Sequence, residues 1–180
     1  MNRQFWIILL IVCLAAIMLL CNKKVCLIRV FIKQLQVFKN AQNGKTSIWD
    51  IICFVFLPVM ISILIVFGIP YQVDNRLSEI LTTVFALIFT ILFGFAAVIV
   101  EKSASDSNVK KRVISETFIS IITSTVLSLI AAVISIILSI IEEDCMISIL
   151  SAILFALSLH ILMLLLMITK RTFVIYCEGE

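Results

Sequence analysis

Five apolar runs, residues 5–21, 51–69, 77–100, 118–141 and 145–168, fill most of this chain and leave only short polar stretches between them. A helix rises 1.5 Å per residue, so about 20 apolar residues cross the roughly 30 Å of a bilayer's hydrocarbon. All five runs approach or exceed that length. They predict an all-α, multi-pass transmembrane helical bundle of about five spans, or four if the short first run is not a true span. Composition agrees, with 63% hydrophobic residues and a mean hydropathy of +1.25.

On this reading the chain divides into a first transmembrane helix (1–21), a basic segment (22–50), a second span (51–69) and a third span with its lead-in (70–100). A basic loop (101–117), a hairpin of the fourth and fifth spans (118–169) and a tail (170–180) complete it. Basic residues collect in short cytoplasmic loops, and their distribution sets orientation. Lys23, Lys24, Arg29, Lys33, Lys39, Lys45, Lys102, Lys110, Lys111, Arg112, Lys170 and Arg171 fall on one side of five alternating spans. Only Arg3 and Arg76 fall on the other. The N-terminus is therefore expected outside and the C-terminus in the cytoplasm.

A secretory signal peptide is the competing reading of the first run. Residues 15–20, AAIMLL, offer no small-x-small cleavage site, and Leu20 before Cys21 is a poor lipoprotein-type site.

Between the first two runs, Arg29, Lys33, Gln36 and Asn40 recur at helical steps, while Leu27, Ile28, Phe31, Leu35 and Phe38 fill the other side. This is a basic amphipathic helix, expected in the cytoplasmic interface with its apolar face at the headgroup boundary. The alternative is a continuation of the first span packed on a partner. Ser47 and Asp50 have capping-box spacing for the next helix. Trp6, Trp49, Tyr71 and Tyr176 all fall at expected membrane boundaries. Glu142, Glu143 and Asp144 join the last two spans so tightly that an antiparallel hairpin must follow.

Inside the spans, small and polar residues form stripes. Ser120, Ser124, Ser128, Ala131, Ala132, Ser135 and Ser139 share one face of the fourth span. Small residues let helices approach closely where lipid supplies no hydrophobic drive, so helix packing is one reading and a serine-lined aqueous pore face the other. Thr83, Ala86, Thr90, Gly94 and Ala97 stripe the third span, and Ser148, Ala152, Ala156 and His160 the fifth; both stripes are expected to meet the fourth span. His160 is the one ionisable side chain well inside a run, either a functional intramembrane group or an imidazole satisfied by a serine of the fourth span. Pro58 lacks an amide hydrogen and clashes with the carbonyl four residues earlier, which predicts a kink near 54–58 compensated by neighbouring helices or by hydroxyls such as Ser62.

No loop is long enough to form a domain, and the sequence has no nucleophile elbow, phosphate-cradling glycine loop or zinc-ligand spacing. The expectation is a non-enzyme with no catalytic residues, cofactor or metal. Cys145 is the lone external cysteine, so no disulfide framework is expected. Arg29, Lys33, Lys110, Lys111 and Arg112 are the candidate contacts for anionic lipid or for a cytoplasmic protein. Direct nucleic-acid binding is not expected, because no basic stretch is interleaved with aromatics.

Residues 38–52, FKNAQNGKTSIWDII, followed by Pro58, and residues 159–175, LHILMLLLMITKRTFVI, resemble segments of small multi-pass proteins from bacterial anti-phage defence cassettes. In organisation the chain is most similar to the membrane subunits of the Kiwa defence system. The resemblance covers roughly residues 38–175. It implies a bacterial inner-membrane homo-oligomer, a tetramer, that senses phage attack and works with a cytoplasmic DNA-binding subunit. Two function classes follow: a membrane sensor and scaffold, or an oligomeric channel that perturbs membrane potential.

Overall fold

In a computed structural model, residues 27–37, 48–102, 108–141 and 143–177 are described. The first apolar run, Ser47 and residues 103–107 lie outside the described residues. Among those described there is no strand. The elements are α1 (Leu27–Val37), α2 (Ile48–Ile51), α3 (Leu57–Ile63), α4 (Asn75–Lys102), α5 (Asn108–Leu138) and α6 (Asp144–Cys177). A π-helical stretch, Ile52–Phe56, joins α2 to α3, and a second, Leu64–Gly68, extends α3, making one broken helix.

Among the described residues three helices are long and apolar enough to cross a membrane, within Asn75–Val100, Val113–Leu138 and Asp144–Phe173. The second apolar run forms the shorter Ile52–Gly68. The helices overrun the apolar runs. Lys110, Lys111 and Arg112 belong to the first turns of α5 rather than to a loop, and α6 continues past Lys170 and Arg171 instead of ending there. Lys and Arg are good helix formers, so charge ends the hydropathy signal without ending the helix.

α5 is the central helix. More than half of its span, 56%, is buried inside the chain, against 22% for α4 and α6. Among its innermost residues are Ile114, Thr117, Ile121, Ser124, Ser128, Ala131, Ser135 and Leu138, each at 3% exposure or less. Their alternating steps of three and four are a heptad pattern, the seam of left-handed helix packing. α4 contributes Ser78, Phe85, Leu92 and Ile99 at steps of seven, and α6 contributes Leu154, Ile161 and Ile168 at the same step.

Two expected pairings are corrected. Thr83, Ala86, Thr90, Gly94 and Ala97 on α4 are all exposed, and a Cβ added at Gly94 would meet nothing within 4 Å. Ala152, Ala156 and His160 on α6 face the broken helix, while Ser151, Leu154, Ile161, Leu164 and Ile168 are its buried residues. Hydropathy is uniform around these helices, so nothing in it distinguishes the face that packs from the face that meets lipid.

The position of α1 is also corrected. It does not lie apart at an interface; it packs against α5, with Gln34 and Val37 buried and Ile32 and Leu35 half exposed. Gln34 approaches Thr123, whose hydroxyl lies 3.5 Å from its amide oxygen. Thr123 is ten residues beyond Val113, about 15 Å into the span. The buried face is therefore turned from the apolar face read off the sequence, because a long-range polar neighbour draws Gln34 inward.

The connection between the broken helix and α4 is tied to α6 by two serines. Gln72 donates its side-chain N–H to the Ser148 hydroxyl at 2.7 Å, and the Val73 amide donates to Ser151 Oγ at 3.1 Å. Asp74 then caps α4 by accepting from the Leu77 amide at 2.8 Å.

Candidate functional site: a lateral cleft at Pro58 and His160

The site begins with a backbone problem. Pro58 carries no N–H and so cannot donate to the carbonyl of Phe54. Its ring also crowds that carbonyl, and the helix widens into the π-helical stretch Ile52–Phe56, where the Leu57 amide donates to Ile52 O across five residues. His160 then approaches from α6. Its Nδ1 lies 2.5 Å from Phe54 O. A carbonyl can only accept, so Nδ1 carries the proton and, in the neutral ring, Nε2 is left as an acceptor.

Phe54 O takes the place of the serine offered as one partner for His160, and of the two ways of compensating Pro58 it is the neighbouring helix that does so. Ser62 donates instead to Val59 O in its own helix, at 2.8 Å. Two residues singled out separately in the sequence thus belong to one arrangement: the proline withholds a donor, and the histidine supplies one.

Around this contact α1, the broken helix, α5 and α6 enclose a cleft of about 570 Å³. Its walls are mainly aliphatic and aromatic, with Phe31 and Leu35 from α1, Val55, Val59, Ile63 and Phe67 from the broken helix, and Ile149, Ala152, Ile153, Ala156 and Leu157 from α6. Four polar side chains interrupt them: Gln34, Ser62, Thr123 and His160. Ser62 and Thr123 turn their hydroxyls back onto their own helices, Thr123 onto Ile119 O at 2.8 Å. Gln34 is buried at 4% exposure and its amide nitrogen has no partner.

Three of the polar groups, Gln34, Thr123 and His160, gather at one level, and Ser62 lies eight residues beyond Phe54 along the broken helix. Thr123 lies 15 residues before Leu138, the end of α5, and His160 lies 16 residues after Asp144, the start of α6, so both are about 23 Å from the hairpin turn. The other end of the cleft, at Phe67 and Ile149, is purely apolar and much closer to that turn. Gln34 and the cleft itself escaped sequence reasoning, because glutamine within a basic amphipathic helix reads as surface. The one available signal was its i, i+3 spacing with Phe31 and Val37.

The remaining candidates lie elsewhere. Ser120, Ser124, Ser128 and Ser135 are fully buried in the core, and Ser139 is exposed beside the hairpin turn. Ser120 donates to Glu116 O and Ser128 to Thr125 O within α5, while Ser78 of α4 donates to Ser135 O. Lys33 is exposed on α1. The side chains of Arg29, Lys110, Lys111 and Arg112 lie outside what is described, although all four backbones are helical. Arg171 pairs with Glu116 at 3.3 Å and joins α6 to α5 at the end far from the hairpin.

Comparison of the chain with known protein families, with curated proteins and with solved structures finds no match.

Proposed function

We propose that this chain is a non-enzymatic inner-membrane subunit of a bacterial anti-phage defence system, an oligomeric sensor and scaffold that recruits or regulates a cytoplasmic protein. In this reading it crosses the membrane five times, with the N-terminus outside and the C-terminus in the cytoplasm. The resemblance to Kiwa membrane subunits suggests the tetramer and a partner that itself binds DNA. The distribution of twelve basic residues against two gives the orientation.

The observation that carries the scaffold class is the closed packing of α5. A conducting path along its serine face would have to present those hydroxyls to water. Here Ser120, Ser124, Ser128 and Ser135 are at 0% exposure within a single chain. A face spent on intrachain packing favours a compact membrane body whose charged helix ends engage other proteins. The first turns of α5, with Lys110, Lys111 and Arg112, are the proposed docking site.

The test is affinity purification of the tagged protein in mild detergent, wild type beside a Lys110→Glu, Lys111→Glu, Arg112→Glu variant. A soluble protein is expected to co-purify with the wild type and to be lost from the variant, with topology unchanged by cysteine labelling. Ion flux through the purified protein in liposomes, with no co-purifying partner, would replace this reading with the channel.

A further inference from the structure

We propose that the lateral cleft binds a long-chain fatty acid in its neutral, protonated form, with the carboxyl end at Gln34 and His160 and the chain running toward Phe67 and Ile149. The inference goes beyond the scaffold reading and rests only on α4, α5 and α6 spanning a membrane.

Three observations select this occupant. The first is polarity along the cleft: Gln34, Thr123 and His160 gather near the middle of the spans, and the walls toward the hairpin end are apolar but for Ser62, whose hydroxyl is turned onto Val59 O of its own helix. A phospholipid seated there would place hydrocarbon against the polar groups and its charged head beyond the apolar end. A single-chain lipid whose uncharged polar end enters the hydrocarbon fits the opposite gradient, and a carboxyl group in that medium is neutral because ionisation is penalised there.

The second is hydrogen-bond complementarity. Gln34 has an amide nitrogen with no acceptor, and His160, committed through Nδ1 to Phe54 O, leaves Nε2 as an acceptor. A protonated carboxyl group offers the complementary set, a carbonyl oxygen for the amide N–H and an O–H for the imidazole. The third is length. Ile149 to His160 is eleven residues, about 16 Å of rise, a path suited to an extended acyl chain.

The experiment is binding of radiolabelled palmitic acid to the full-length protein in detergent micelles, with each variant checked for its melting transition and elution volume. Saturable binding of one acid per chain is expected. Gln34→Leu, which keeps the side-chain volume and removes the amide, should weaken it roughly tenfold, the scale of one lost hydrogen bond. Ala152→Phe, which fills the cleft, should abolish it, and Thr90→Leu on the exposed face of α4 should leave it unchanged. Non-saturable partition, or equal affinity in wild type and a folded Gln34→Leu protein, overturns the proposal. So does displacement of the label by phosphatidylethanolamine but not by unlabelled acid, which would make the occupant a phospholipid. Cross-linking of Cys13 in an Ala152→Cys variant would show the cleft taken by the chain's own first apolar run, and would equally overturn it.

Discussion

His160 donates from Nδ1 to the carbonyl of Phe54, the oxygen that Pro58 would have served had it been any other residue. The two residues are 106 positions apart in sequence. The contact joins the last long helix to the point where the broken helix widens. It predicts that the cost of losing the imidazole depends on the residue at 58.

His160→Ala should lower stability by about 1 kcal/mol, the usual net worth of one intramolecular hydrogen bond. Pro58→Ala restores an amide that can reach Phe54 O, so the histidine should matter less in that background. A double-mutant cycle of thermal unfolding in detergent should give a coupling of about 1 kcal/mol, and strict additivity would separate the two residues.

Ser124 and Ser128 lie on the heptad seam of α5 at 0% exposure. Leucine at either site overpacks the seam and should destabilise by about 1–3 kcal/mol. Ala86→Leu, on the exposed face of α4, should change stability by less than about 0.5 kcal/mol. Melting curves of the purified variants compare the two faces directly, and equal losses would mean that both faces are packed.

Arg171 and Glu116 form an ion pair at 3.3 Å with side chains 22% and 27% exposed. Removing one partner should cost no more than about 1 kcal/mol, since partial solvation weakens the attraction. Exchanging the pair, Arg171→Glu with Glu116→Arg, should recover most of the loss in the same melting assay. Failure to recover would point to packing of the arginine stem rather than to charge.

Orientation is testable at two ends of the bundle. Cys145 is exposed at the start of α6 and should react with a membrane-impermeant maleimide added outside intact cells. Asn108→Cys, in a background lacking the other cysteines, should react only after the membrane is opened. Rapid labelling of position 108 from outside would reverse the assigned topology.

Much of the architecture was legible in order and length. Apolar runs marked α4, α5 and α6 because hydrocarbon thickness sets a minimum length that few soluble helices share, and the three acids after Ile141 forced the hairpin. The small-residue face of α5 was legible too, since size recurs at helical steps even where polarity does not. Pro58 and His160 stood out singly, as a backbone without a donor and an ionisable group among apolar residues.

Their partnership was decided only by tertiary structure. Within a membrane helix every face is apolar, so hydropathy cannot rank the stripe on α4, which is exposed, against the stripe on α6, which packs on the broken helix. Shape complementarity between whole helices makes that choice. The same holds for Gln34: its class predicts water, and only the meeting of α1 with Thr123 buries it beside an aliphatic cleft. Chain length and composition determined that this sequence forms apolar helices long enough to span a membrane. Contacts across as many as 106 residues determined which faces close on one another, because a hydrogen bond or a packed seam depends on positions in space that local sequence does not specify.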